Sequence, residues 1–185
     1  MPLSPPAPRK PRHTRAITVD VFARDDGLWD LDACIRDTKT HDIALPSGSR
    51  PAGLPVHELK LRVTIDRDMN IVDAEAASDA VPYPGFCDTI APAYKKLIGL
   101  SLLKHFRLHL KDRLSGVLGC THLTELAQVL PTAAIQAFAD DAMANRSVDT
   151  STERPYELDR CHALRLDGPA VETYYPRWSL KAVPG

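Results

Sequence analysis

The sequence has no apolar run approaching the roughly 18–20 residues of a membrane span, so a membrane partner is not expected. Four cysteines among 185 residues are too few for a disulfide scaffold. Formal net charge is only −1, so no bulk basic field points to nucleic acid. There is no CxxC pair, no HExxH and no glycine-rich nucleotide loop, so any metal site must be assembled from distant segments. The N-terminus has no apolar stretch of the kind a secretory signal needs. Together these absences point to a cytoplasmic chain with reduced thiols, free for metal binding or catalysis. Hydrophobic residues at 44% and charged residues at 25% are ordinary for a folded domain.

Proline is plentiful, but five of the 16 fall before residue 12. Residues 1–12 are proline-rich and basic, with no acid, and read as a disordered tail ahead of a single domain over 13–185. Residues 14–39 read as a β-hairpin. Ile17, Val19 and Val21 alternate with polar neighbours, and Arg24-Asp25-Asp26-Gly27 makes the turn. Residues 40–55 read as a loop. Residues 56–77 form a second hairpin, with Leu59, Leu61, Val63 and Ile65 in strict alternation and a turn at 66–70.

At Cys87 the period becomes helical, with Ile90, Tyr94, Leu97 and Ile98 on one face and Gly99 as the stop. Ser101 is expected to cap a second helix carrying Leu102, Phe106 and Leu110 inward. Thr121 is expected to cap a third, kinked or restarted at Pro131, with a further helix over about 132–144. Residues 145–157 read as a linker, and Cys161 to Tyr175 as a last hairpin turning at Asp167-Gly168. The class is α+β: antiparallel hairpins forming a sheet, packed against the helices that follow, with a short C-terminal β extension.

Cys87 and Cys120 both fall at loop-to-helix junctions, where unpaired N–H groups favour a thiolate, the form a metal or a nucleophile requires. Cys161 opens the tail. Cys34, inside a strand, reads as core. His57 opens a strand at the rim of a sheet, and His122 follows Cys120 by two residues. These residues suggest one divalent ion held by His57, Cys87 and Cys120, with His122, Cys161 or water completing the set. Zinc suits such a mixed site, and iron is the alternative. Asp25, Asp26, Lys39 and Glu125 are the candidate acids and bases. His13, Arg15, Trp29 and Tyr83 are the candidate substrate contacts, the two rings being able to stack on an aromatic ligand. A rim site of this kind suits a small organic substrate, with aromatic compounds among the candidates. The expected chemistry is a lyase step of retro-aldol type with loss of an aldehyde, ahead of hydrolysis. The alternatives are a metal or iron–sulfur carrier and a non-catalytic binding module. A second copy of the chain is among the candidate partners.

Several motifs carry a resemblance. His13-Thr14-Arg15, Arg24-Asp25-Asp26-Gly27-Leu28-Trp29-Asp30, Asp37-Thr38-Lys39, Pro82-Tyr83-Pro84, Gly119-Cys120-Thr121-His122-Leu123 and Tyr175-Pro176-Arg177-Trp178 resemble the bacterial DUF2889 family over about residues 12–178. That family implies no activity. The order of elements is also similar to the NifU/IscU iron–sulfur scaffold. That likeness would place His57 where the scaffold has an Asp, Cys87 at its middle cysteine and Gly119-Cys120 near its terminal ligands. Leu54-Pro55-Val56 stands where the scaffold carries its first cysteine, and a cluster wants several thiolates.

Overall fold

A computed structural model describes residues 2–144, 154, 155 and 157–180. The chain divides into two compact units, Met1–Ala139 and Asp140–Gly185.

In the first unit four strands form one antiparallel sheet: β1 (His13–Ala23), β2 (Trp29–Lys39), β5 (Pro55–Ile65) and β6 (Ile71–Ala80), in the order β1-β2-β5-β6. β3 (Ile43–Leu45) and β4 (Gly48–Arg50) make a small separate hairpin inside the stretch read as a loop. The β1–β2 turn closes with Gly27 at φ +83°, a conformation glycine adopts without strain. The register then runs unbroken from Ala23↔Trp29 to His13↔Lys39. The period of two buries one face of the sheet. On β2 that face carries Leu31, Ala33, Ile35 and Asp37; on β5 it carries Leu59, Leu61, Val63 and Ile65. Cys34 belongs to the opposite face and is half-buried, which corrects its reading as core.

The helical segments supply the other half of the core. A 3₁₀ helix spans Asp88–Leu97, with Cys87 as its N-cap and with Tyr94 and Leu97 buried. Pro92 lies inside it and lacks the N–H that a regular α-turn would use. The expected helix from Ser101 starts later: α1 runs Phe106–Leu114, after His105 at φ +52°. The backbone of 99–102 is bonded elsewhere. Gly99 donates to Ile71 (2.8 Å), Leu102 donates to Met69 (2.9 Å), and Ile71 donates to Leu100 (2.8 Å). These bonds hold the segment against the start of β6, so its donors are not free for a helical turn.

α2 runs Thr121–Ala144 as one helix, with no restart at Pro131. Leu123, Leu126, Ala127, Leu130 and Ala134 form a buried stripe that continues on both sides of the proline. Burial of that stripe outweighs the roughly 3 kcal/mol that an interior proline costs.

In the second unit the expected C-terminal hairpin is absent among the described residues. Residues 157–180 form turns, a short helix α3 (Pro169–Tyr174) and a 3₁₀ turn at Pro176–Trp178, around buried Leu158, Leu166 and Val171. Pro169 explains the difference. It cannot donate to a strand ladder, but it suits the first turn of a helix, where it sits. The linker read over 145–157 lies largely outside the described residues.

Gly119 sits in extended backbone just before α2, and a Cβ there would lie 2.4 Å from the Leu114 carbonyl oxygen. Gly119→Ala is therefore expected to destabilise the fold by about 1–3 kcal/mol in urea unfolding, because the α1–α2 connection must shift to admit one methyl group.

Candidate metal centre

Strand register places the polar residues of this centre in one row. Arg15 pairs with Asp37 across β1–β2, and Asp37 pairs with His57 across β2–β5. Their parity matches that of Ile17, Ile35 and Leu59, so all three project from the face that carries the core. At this end of the sheet the apolar residues give way to Asp37, only 2% exposed.

A buried carboxylate requires partners. Arg15 supplies two parallel bonds, from Nε to Oδ1 and from Nη2 to Oδ2, each 2.8 Å. Its Nη1 donates to Glu125 Oε2 at 2.6 Å, joining β1 to α2. Nδ1 of His57 lies 3.1 Å from Asp37 Oδ2. An ionised carboxylate can only accept, so that nitrogen carries the proton and Nε2 keeps a free lone pair. His13 donates from Nδ1 to the Thr38 carbonyl (3.0 Å), and its Nε2 is 3.3 Å from Asp37 Oδ1.

α2 brings the remaining side chain. His122 stands in its first turn, with Nε2 3.8 Å from Asp37 Oδ2 and its ring stacked on His57 at a centroid distance of 3.9 Å. Glu125, three residues on, shares that helix face. The start of α2 is pinned by Tyr94, which is fully buried. The Tyr94 hydroxyl accepts the Cys120 N–H (3.0 Å) and reaches the Cys120 carbonyl (2.8 Å) and the Thr124 hydroxyl (2.9 Å). Cys120 itself lies beside the centre, with Sγ 4.0 Å from His122 Nδ1.

Burial alone would raise the Asp37 acid. The hydrogen bonds and charge of Arg15, with the neighbouring His57 and His13, outweigh it and hold the carboxyl below its usual range. Burial lowers both ring histidines. His57 is lowered further by His122, and His122 by Arg15; Asp37 opposes the shift in each. The Arg15 guanidinium is raised by its bonds to Asp37. The centre therefore favours two neutral imidazoles beside an ionised carboxylate, the protonation states a divalent ion requires.

Among the described residues, Asp37, His57 and His122 are the one group of three whose ligand atoms all lie within 4.8 Å of one another, and they could hold a metal ion. His57 and His122 come from the expected ligand set. Cys120 is adjacent to the group, and Cys87 and Cys161 are outside it. Cys87 is half-buried against the main core, and Cys161 is exposed in the second unit. Arg15, His13 and Glu125 line the centre. Lys39 ends β2, half-buried, its carbonyl accepting the Gly53 N–H at 2.9 Å.

The remaining candidates lie elsewhere. Asp25 and Asp26 are at the β1–β2 tip, beyond the far end of β2 from Asp37. Asp26 accepts from the Arg24 side chain (2.6 Å) and from the Leu28 N–H (3.2 Å), a turn-closing role. Trp29 starts β2, eight residues or about 26 Å from Asp37, and stacks on Phe138 at 4.4 Å. Tyr83 is on the loop before the 3₁₀ helix, its carbonyl accepting from Phe86 and Cys87. The residue missing from the sequence reading is Asp37 in a ligand role. Its signal was parity: it continues the inward series Leu31, Ala33, Ile35.

Stability is expected to fall with acid in two stages. The histidines have folded pKa values below the ordinary 6.5, so the unfolded chain binds more protons and stability is lost as pH drops through about 6.5. The contribution of Asp37 is complete above about 3.8 and is lost as pH falls through its lower folded value. Urea midpoints at successive pH values measure both, and His57→Gln with His122→Gln should flatten the first stage. Arg15→Met, which leaves a buried carboxylate short of two donors, should cost about 1–3 kcal/mol at pH 7.

Comparison with curated proteins finds no match, and comparison with solved structures finds none either. The likeness to the NifU/IscU scaffold thus has no support beyond the order of elements. A family model described as a protein of unknown function, DUF2889, matches residues 13–136. The match begins at the first residue of β1 and takes in every residue of the centre, but stops short of the Tyr175-Pro176-Arg177-Trp178 motif. From the His13 strand to the middle of α2, and so across the whole Asp37 centre, this chain belongs to the DUF2889 family.

Proposed function

We propose that this protein is a metal-dependent enzyme in which Asp37, His57 and His122 hold one divalent ion, zinc by preference. The observation that carries the reading is the convergence of one ionised carboxylate and two neutral imidazoles within 4.8 Å, at a partly open rim. Two histidines and a carboxylate are a common zinc set, and three protein ligands leave a position for water or substrate. Cys120 and water are the two candidates for that fourth position. The ligand set is short of the thiolates that an iron–sulfur cluster needs, which favours an enzyme over a cluster carrier. Four free cysteines agree with a reducing, cytoplasmic setting.

The surroundings suggest the chemistry. Arg15 is balanced by Asp37 and Glu125, so with neutral histidines a divalent ion would leave the centre with one net positive charge. Such a site favours an anionic oxygen ligand, as an enolate or alkoxide. Glu125 is 42% exposed in its side chain and stands one turn from His122, a fitting place for a proton carrier. A retro-aldol step uses these parts directly. Removal of the proton of a β-hydroxyl, with Glu125 as the carrier, would break the carbon–carbon bond, release an aldehyde and leave the electron pair in an enolate; the ion held by Asp37, His57 and His122 would supply charge stabilisation for that oxygen. The enolate carbon is then protonated. Trp29 is taken up by Phe138, which removes one of the two rings that favoured an aromatic substrate.

The test is metal content of the full chain prepared without chelator, then after zinc addition and dialysis. About one zinc per chain is expected, lost in His57→Ala and in His122→Ala while circular dichroism stays unchanged, and retained in Cys87→Ser. An unmutated chain that takes up no divalent ion, or histidine variants that keep theirs, would overturn the reading. Cys120→Ser separates the two candidates for the fourth position: weakened zinc binding assigns the thiol, and unchanged binding assigns water.

A further inference from the structure

Every lysine among the described residues is exposed except Lys39, which is half-buried. Cations drawn out of water normally bring a partner with them. Even the exposed Lys60 and Lys95 each hold an aspartate, Asp79 and Asp73. Lys39 holds none: among the described residues no carboxylate lies within ion-pair distance of its Nζ, and no acceptor lies within hydrogen-bond distance.

Strand register sets where this ammonium group belongs. The β1–β2 ladder is unbroken as far as His13↔Lys39, and directly opposed residues share a face. The His13 ring lies on the Asp37 face, its Nε2 3.3 Å from Asp37 Oδ1. Lys39 therefore stands on that face too, two residues or about 7 Å beyond Asp37 along β2, on the side away from Leu31, Ala33 and Ile35. The neighbouring polar groups of this rim are committed. Arg15 is shared between Asp37 and Glu125, and His13 donates to the Thr38 carbonyl.

On the metal-dependent reading above, we infer that Lys39 binds a carboxylate of the substrate, so that the site acts on small hydroxy acids. One substrate oxygen goes to the ion held by Asp37, His57 and His122, and a carboxylate a few bonds away pairs with Lys39 Nζ. The charges select this class. The centre with its ion carries one net positive charge, and Lys39 adds a second. An anionic oxygen at the ion and a carboxylate at Lys39 balance both. A phosphate brings more charge and three acceptor oxygens, more than one uncommitted ammonium group can satisfy. A neutral ligand would cover the ammonium without giving it an acceptor. Lys39 thus anchors the substrate beside Glu125, the proton carrier.

The test uses the full chain loaded with zinc and two probes of equal length, succinic acid monohydroxamate and butyrohydroxamate. Both offer the same hydroxamate to zinc, and one has a carboxylate where the other has a methyl group. Affinities are read by isothermal titration calorimetry, with zinc content measured on the same sample. The unmutated chain should bind the carboxylate probe about tenfold more tightly. In Lys39→Met, with zinc content unchanged, the preference should fall to about threefold or less, the pull of the remaining charge. Lys39→Arg should keep it. Equal affinities in the unmutated chain overturn the assignment. So does a tenfold preference that survives Lys39→Met, or a zinc-loaded chain that binds neither probe. A chain that takes up no zinc overturns the metal reading itself and this assignment with it, so the two failures are told apart by zinc content. If Lys39→Met does not fold by circular dichroism, Lys39→Gln reads the same contrast with the same two outcomes.

Discussion

The carboxylate of Asp37 is the constraint around which this end of the molecule is arranged. It occupies a position that strand alternation reserves for an apolar side chain, and an ionised group there is costly unless every oxygen finds a donor. Arg15 is held on one neighbouring strand and His57 on the other to supply those donors. The same arginine reaches Glu125, and through it α2, whose first turn carries His122 over the row. Three strands and a helix therefore meet at one buried charge. The Tyr94 hydroxyl, bonded to the backbone of Cys120, holds the helix start in place from the core side.

Where this row sits also matters. Apolar packing fills the middle of the sheet, from Leu31 and Val63 to the stripe on α2, and tapers towards the strand ends. Asp37 lies where the core stops and solvent begins: its own carboxylate is enclosed, while the Arg15 and Glu125 side chains on its outer side are 33% and 42% exposed. Enclosure favours the neutral imidazoles, and the outer side of the centre stays open to solvent.

Much of the fold was legible in the residues because local rules dictate it. Strict alternation at Leu59, Leu61, Val63 and Ile65, and the Asp25-Asp26-Gly27 turn, define the two long hairpins. The spacing of Leu123, Leu126, Ala127 and Leu130 defines the first half of α2. What was misread depended on tertiary partners. The 99–102 backbone is drawn onto β6, Pro131 is tolerated because the stripe on both sides of it is buried, and Pro169 sets a helix where a hairpin was expected. The candidate centre divides the same way. His57 and His122 stand out as residue types at element ends, and Glu125 follows from helix spacing. Arg15 and Asp37 are equidistant from Asp26, so the hairpin register alone places them opposite each other. That His57 joins them across β5 could not be counted from the sequence, because the 40–54 segment sets that pairing.

The most direct test of the central claim is a crystal structure of the full chain grown with zinc, with diffraction recorded on both sides of the zinc absorption edge. An anomalous peak about 2.0–2.2 Å from a nitrogen of His57, a nitrogen of His122 and an oxygen of Asp37 is the expected result. A zinc peak bound elsewhere, with His57 still bonded to Asp37 and no density between the two imidazoles, would contradict it.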